Sequence, residues 1–250
     1  MREDLPGQKG DLQLAQLIPN LMTIAAICAG LTAIRFGFQS DFERAVRLIL
    51  LACVLDGMDG RVARMLKSES KIGAELDSLA DFLNFGVAPA LIVHVWALQD
   101  WRGAGWMAVL IYTICCVLRL ARFNVTSKEG DDAADKGYFV GVPSPAGAFL
   151  VMLPMFVAFL FPDMPRLPVE VLAGYVVAVG LLMISNIRTY SFKKIAISRR
   201  NAKFVVLGFV LLITALLTYL WATLAFLSIG YALTVIWALR PGKNRTRGQG

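Results

Sequence analysis

Long apolar runs alternate with short clusters of charge or proline along the whole chain. Residues 11–18, DLQLAQLI, place apolar side chains at helical spacing and stop at Pro19, which predicts a short interfacial helix. Beyond it, apolar stretches fall at roughly 20–38, 45–66, 73–98, 104–123, 144–161, 168–188, 203–220 and 222–239. Each approaches the roughly 20 residues that a helix needs to cross a bilayer. The last two form one uncharged run from Phe204 to Leu239. As a single helix that run would be about 54 Å long, nearly two hydrocarbon thicknesses. Arg199, Arg200 and Lys203 precede it, and Arg240, Lys243 and Arg245 follow it. Both ends therefore favour the same side, which predicts two spans with a tight turn near Tyr219–Thr223. The expectation is an all-α, polytopic membrane bundle of about eight transmembrane helices, forming one domain over residues 1–250.

Composition agrees. Of 250 residues, 57% are hydrophobic and only 17% charged, and mean hydropathy is +0.63. Soluble domains carry about 25% charge. The first eleven residues are polar and include acids, so no cleavable leader is expected. The net charge of +7 comes from bases in the short connections, so it reads as an orientation signal and not as a nucleic-acid surface. With both termini inside, the outer segments hold Arg35, Arg44, Arg47, Arg102 and Arg166, and the inner ones the other 20 of the 25 Lys and Arg. That asymmetry predicts cytoplasmic termini in the cell's inner membrane. Cys28, Cys53, Cys115, Cys116 and the single His94 lie in apolar spans, show no zinc spacing and read as packing residues. The acidic EGDDAAD loop (Glu129–Asp135) lacks helical pairing and reads as solvated.

Four aspartates break the apolar pattern. Asp56 and Asp59 close the second span, and Asp77 and Asp81 open the third, so all four fall at the cytoplasmic end. On a helix the first pair is about 60° apart and the second about 40°, so each helix shows two carboxylates on one face. Two unit charges about 5 Å apart cost roughly 3 kcal/mol at an effective dielectric of about 20. Such a cluster persists when protonated, paired or metal-bound, and an all-oxygen donor set suits Mg²⁺, Mn²⁺ or Ca²⁺. Gly60 and Ala63 continue the Asp56 stripe with bare backbone, and Arg64 stands at its edge, suited to phosphate.

Asp56-x-x-Asp59-Gly60-x-x-Ala63-Arg64, followed by Gly73-x-x-x-Asp77-x-x-x-Asp81, resembles the full signature of the CDP-alcohol phosphotransferases. PNLMT (Pro19–Thr23) is similar to that family's motif at the start of its first helix. The resemblance implies transfer of a substituted phosphoryl group from a CDP-alcohol to a second alcohol, with release of CMP. It implies that Asp56, Asp59, Asp77 and Asp81 hold two divalent ions, Mg²⁺ or Mn²⁺, and that Asp81 is also the general base. It places Asn20 to Thr23, Gly60, Arg64 and Ser70 around the CDP moiety, and it implies a homodimer.

Three further stretches bear on the acceptor. SLADFLNFGVAPA (Ser78–Ala90), RLARFNV (Arg119–Val125) and FVGVPSPAGA (Phe139–Ala148) resemble the phosphatidylserine synthase branch, which implies CDP-diacylglycerol and L-serine as substrates. Arg119 and Arg122 would clamp a carboxylate, and Asn84, one turn beyond Asp81, would reach the amino acid. Choline, glycerol 3-phosphate or an inositol phosphate are alternative acceptors; a phosphorylated one would want a basic pocket such as SFKKIAISRR (Ser191–Arg200), which reads better as a cytoplasmic loop on anionic lipid. A divalent-cation transporter is the rival of another class, but it would place its ions near the midplane and show repeats.

Overall fold

The computed structural model describes residues 14–68, 70–128, 138–185, 188–190 and 202–239. Eight helices are found among them: α1 (Leu14–Phe38), α2 (Phe42–Met65), α3 (Lys71–Leu98), α4 (Arg102–Lys128), α5 (Ser144–Leu160), α6 (Val169–Ile184), α7 (Ala202–Thr218) and α8 (Leu220–Leu239). Four stretches are long and apolar enough to cross a membrane: Leu17–Phe38, Lys71–Leu98, Gly103–Thr126 and Leu220–Ala238. Ser144–Leu160, Val169–Ile184 and Lys203–Thr218 are apolar but shorter. The protein is a helical membrane protein. The uncharged run breaks at Tyr219, inside the predicted turn.

Short connections make antiparallel neighbours. Between α1 and α2, Ser40 takes a positive φ of 62°, and Asp41 caps α2 by accepting from the Arg44 backbone N–H at 3.2 Å. Between α2 and α3, Lys67 turns at φ 51°, and Ser70 caps α3 by accepting from the Gly73 N–H at 3.0 Å. At the end of the bundle away from the aspartates, arginines stack on rings: Arg44 on Phe36 at 5.7 Å, Arg47 on Trp221 at 5.5 Å and Arg166 on Trp96 at 5.7 Å.

Small residues let α1 lie against α3. Ala26, Ala33 and Gly30 are buried on one stripe of α1. A Cβ on Gly30 would fall on Asn84 Oδ1, and one on Gly37 would come within 3.1 Å of Ile92 Cγ1. This is the close approach that membrane helices use when water supplies no hydrophobic drive. α4 and α6 meet the same way: a Cβ on Gly180 would lie 3.0 Å from Tyr112 Cα.

The third helix is not uniform. Phe82–Val87 and His94–Leu98 are wider π-type turns within it. Such turns leave carbonyls poorly paired, and α4 answers them: Tyr112 Oη donates to Phe85 O at 2.8 Å and Thr113 Oγ1 to Gly86 O at 3.4 Å. The rest of the core is apolar, with Ile49, Ile92, Met152, Met155, Phe156 and Leu172 buried.

Three features differ from the sequence expectation. The helix that starts at Leu14 runs through Pro19 into the first span, so Pro19 does not end an interfacial helix; residues 11–13 lie outside the described residues. Proline removes one backbone bond, which transmembrane helices tolerate where side chains take up the loose groups. α2, expected to span at 45–66, is not among the stretches long and apolar enough to cross a membrane, since its last turns carry Asp56, Asp59, Arg61 and Arg64. Two three-residue strands, β1 (Tyr138–Val140) and β2 (Arg188–Tyr190), pair antiparallel with Phe139 opposite Thr189. They join the connections after α4 and α6. The EGDDAAD and SFKKIAISRR loops lie outside the described residues.

The glycine contact is testable. Gly30→Ala should lower stability by about 1–3 kcal/mol through overpacking. Gly57→Ala, with nothing within 4 Å of the new Cβ, should not lower it. Thermal unfolding of the detergent-solubilised chain checks the pair; equal curves would remove Gly30 as the point of closest approach.

Candidate functional site

The four aspartates converge where α2 and α3 meet below their connecting turn. All four carboxylates lie within electrostatic range of one another. Asp59 is only 4% exposed and is the best supported: Oδ1 accepts from its neighbour Gly60 N–H at 2.5 Å and Oδ2 from the Thr23 hydroxyl at 2.5 Å. The Thr23 hydroxyl also lies 3.1 Å from the Pro19 carbonyl, but the charged acceptor is nearer. Thr23 is itself 3% exposed, and its hydroxyl serves the carboxylate.

Asp56 and Asp81 face each other across the helix pair, and Asp56 Oδ1 is buried with no hydrogen-bond donor. Two ionised carboxylates are both acceptors, so this contact needs a proton or a cation between them. Among the described residues, no three His, Cys, Asp or Glu side chains gather tightly enough to chelate one ion as they are posed. Asp59 is turned to Thr23 and Gly60, and Asp77 is exposed. The orphaned oxygen and the all-oxygen donor set nevertheless fit a hard divalent cation bridging the two helices.

Around the carboxylates, one side is open and the other built. Gly60 is exposed, and a Cβ there would meet nothing within 4 Å. Arg64 is exposed and donates from Nε to Gly60 O at 3.1 Å. Asn20 and Ser70 come together over Gly73: a Cβ on that glycine would lie 2.9 Å from Asn20 Oδ1 and 3.1 Å from Ser70 Oγ. A bare backbone patch thus runs past the aspartates between polar side chains of α1 and the α2–α3 turn.

The residues expected to choose the acceptor separate. Arg119 is half-buried, lies within electrostatic range of Asp81 and donates from Nη1 to Ser144 Oγ at 2.5 Å. Arg122, one turn further along α4, is more exposed. Asn84 is fully buried against Gly30, with neither side-chain polar atom hydrogen-bonded. It lies within the π-type turn that begins at Phe82. Ser144 was not singled out from the sequence although it lies in the PSPAG stretch; only its through-space contact marks it. Asn124 Nδ2 donating to Ser78 Oγ at 3.0 Å, beside Asp77, was likewise invisible.

A model of the CDP-alcohol phosphatidyltransferase family matches residues 16–185, which include all four aspartates. The chain belongs to this family. Relatives named CDP-diacylglycerol–serine O-phosphatidyltransferase are similar to it. The Mycobacterium bovis protein is 44% identical over 173 residues, 69% of this chain and 60% of the relative. The Helicobacter pylori protein is 37% identical over 179 residues, 72% of this chain and 74% of the relative. The Bacillus subtilis protein is 35% identical over 178 residues, covering 71% and 92%. The chain thus spans less than two thirds of the mycobacterial relative's length. As a CDP-alcohol phosphatidyltransferase, it carries the matched region on α1 to α6.

The open stripe gives a structural prediction. Gly60→Leu should fold and insert as the parent does, because the new side chain meets empty space. Its unfolding free energy should be no lower than the parent's by more than about 0.5 kcal/mol. A clear drop in thermal stability would mean that Gly60 is packed.

Proposed function

We propose that this chain transfers the phosphatidyl group of CDP-diacylglycerol to the hydroxyl of L-serine, giving phosphatidylserine and CMP. The carrying observation is the carboxylate cluster with Asp81 inside it, flanked by the bare Gly60 face on one side and Arg119 on the other. The names of the relatives support this donor and this acceptor.

Asp56, Asp59, Asp77 and Asp81 would hold two Mg²⁺ or Mn²⁺ ions. Bound there, such ions neutralise a pyrophosphate and stabilise a leaving phosphate. The chain's own residues do the rest. Thr23 and the Gly60 N–H hold the Asp59 carboxylate in place. Asn20, Ser70, Gly60 and Arg64 line the cytidine diphosphate. Arg119 takes the serine carboxylate, with Arg122 and Asn84 as the further acceptor contacts. Asp81 accepts the hydroxyl proton as the serine oxygen bonds to phosphorus and the bond from phosphorus to CMP breaks.

The membrane placement follows. Eight crossings, with both termini and the aspartates on the cytoplasmic side of the inner membrane, account for the excess of Lys and Arg in the inner connections. The protein acts as a single membrane domain and a homodimer.

An acceptor panel with the full chain in detergent tests the reading: CMP release from CDP-diacylglycerol should require L-serine and Mn²⁺ or Mg²⁺. Release with choline or glycerol 3-phosphate and not serine would overturn it. EDTA should abolish turnover, and Asp56→Asn, Asp59→Asn or Asp77→Asn should each reduce it sharply in protein that remains inserted. Full turnover without metal would remove the divalent ions. Gly60→Leu should lose affinity for CDP-diacylglycerol.

Arg119→Gln should raise the serine KM about 30- to 150-fold, the effect of losing one contact worth about 2–3 kcal/mol. The KM for CDP-diacylglycerol should move far less. Serinol, which lacks the carboxylate, should be a poor substrate of the parent and lose little further in the variant. Equal use of serinol and serine by the parent would exclude a carboxylate clamp.

A further inference from the structure

Ser144 opens α5 and is fully buried. Its Oγ accepts from Arg119 Nη1 at 2.5 Å and from Cys116 Sγ, one turn earlier on α4, at 3.6 Å. A neutral hydroxyl thus receives a guanidinium that lies within electrostatic range of the Asp81 carboxylate. Left to electrostatics alone, the flexible arginine would swing onto Asp81, because an ion pair outweighs a neutral hydrogen bond.

The position of Ser144 is set from the connections on this side of the bundle. The Val142 N–H donates to Leu182 O at 3.3 Å, tying the approach to the end of α6. Gly141 turns there at φ 81°, and a Cβ on it would strike the Met183 carbonyl and lie 3.0 Å from that of Ser185. Just before Gly141, β1 pairs with β2, Val140 opposite Arg188. The Gly147 N–H then donates to Pro143 O at 2.9 Å, fixing the first turn of α5.

We infer that Ser144 is a positioning residue for acceptor selection: held by the β1–β2 strap, its hydroxyl keeps the Arg119 guanidinium off Asp81 and available to an acceptor carboxylate. The inference rests on the serine reading above and deepens it. It explains why an arginine can stand beside a general base without disabling it: one donor is tethered, and the remaining N–H groups stay available for the incoming carboxylate.

The test uses the full chain in detergent with CDP-diacylglycerol, Mn²⁺, and serine or serinol. Ser144→Ala should raise the serine KM about tenfold or more, the effect of one hydrogen bond to a charged group. It should leave the CDP-diacylglycerol KM nearly unchanged, and the preference for serine over serinol should fall by the same factor. On an Arg119→Gln background, Ser144→Ala should add little. An unchanged serine KM, or an equal change for serine and serinol, overturns the inference. If Ser144→Ala does not fold, Gly141→Ala displaces the strap without touching either side chain. It should weaken serine selectively, and unchanged selectivity there also overturns the inference. A parent chain that releases no CMP with serine overturns the functional reading and this inference with it; an active parent with an indifferent Ser144→Ala overturns the inference alone.

Discussion

Crowded negative charge at the end of a helix pair is the constraint to which the surroundings answer. Asp56, Asp59, Asp77 and Asp81 are drawn together by the α2–α3 turn, with Asp59 buried and Asp77 exposed. Each neighbour reduces the resulting repulsion in its own way. Thr23 and the Gly60 N–H give Asp59 two donors, and Arg119 adds a positive charge near Asp81. Asp56 keeps a buried oxygen without a donor.

Holding the cluster also requires the bundle to be rigid close by. α1 supplies Thr23 to the carboxylates and, two turns on, meets α3 at Gly30 and Asn84. The same helix therefore sets both a hydrogen bond in the site and the spacing of the scaffold. On the far side of α3, Tyr112 of α4 is buried and bonded to the Phe85 carbonyl, and two turns later α4 delivers Arg119. Scaffold contacts and site contacts alternate along one helix, so a shift in either is felt by the other.

The aspartates were legible in the sequence because helix period alone puts Asp56 with Asp59 and Asp77 with Asp81, and a five-residue connection makes the two helices neighbours. The break at Tyr219 was legible because like charges flank a run too long for one crossing. Other features were not. Pro19 reads as a stop, yet the helix continues through it. Arg119 and Arg122 share a face by period, but packing of α4 turns one inward and leaves the other exposed. Ser144 meets Arg119 from 25 residues away, a separation at which no local pattern speaks. The β1–β2 strap likewise joins segments some 50 positions apart.

The wide turn at Phe82–Val87 has a separate consequence for α3. It takes up one residue more than an ordinary α-helical turn does. The segment carrying Asp77 and Asp81 and the segment carrying Ile92 thus run in different rotational phase, offset by about 100°. Counting from Asp81 in steps of 3.6 therefore misplaces the side chains of the span beyond Val87. The offset also lets one continuous helix serve two orientations, one towards the carboxylates and one for close packing on α1.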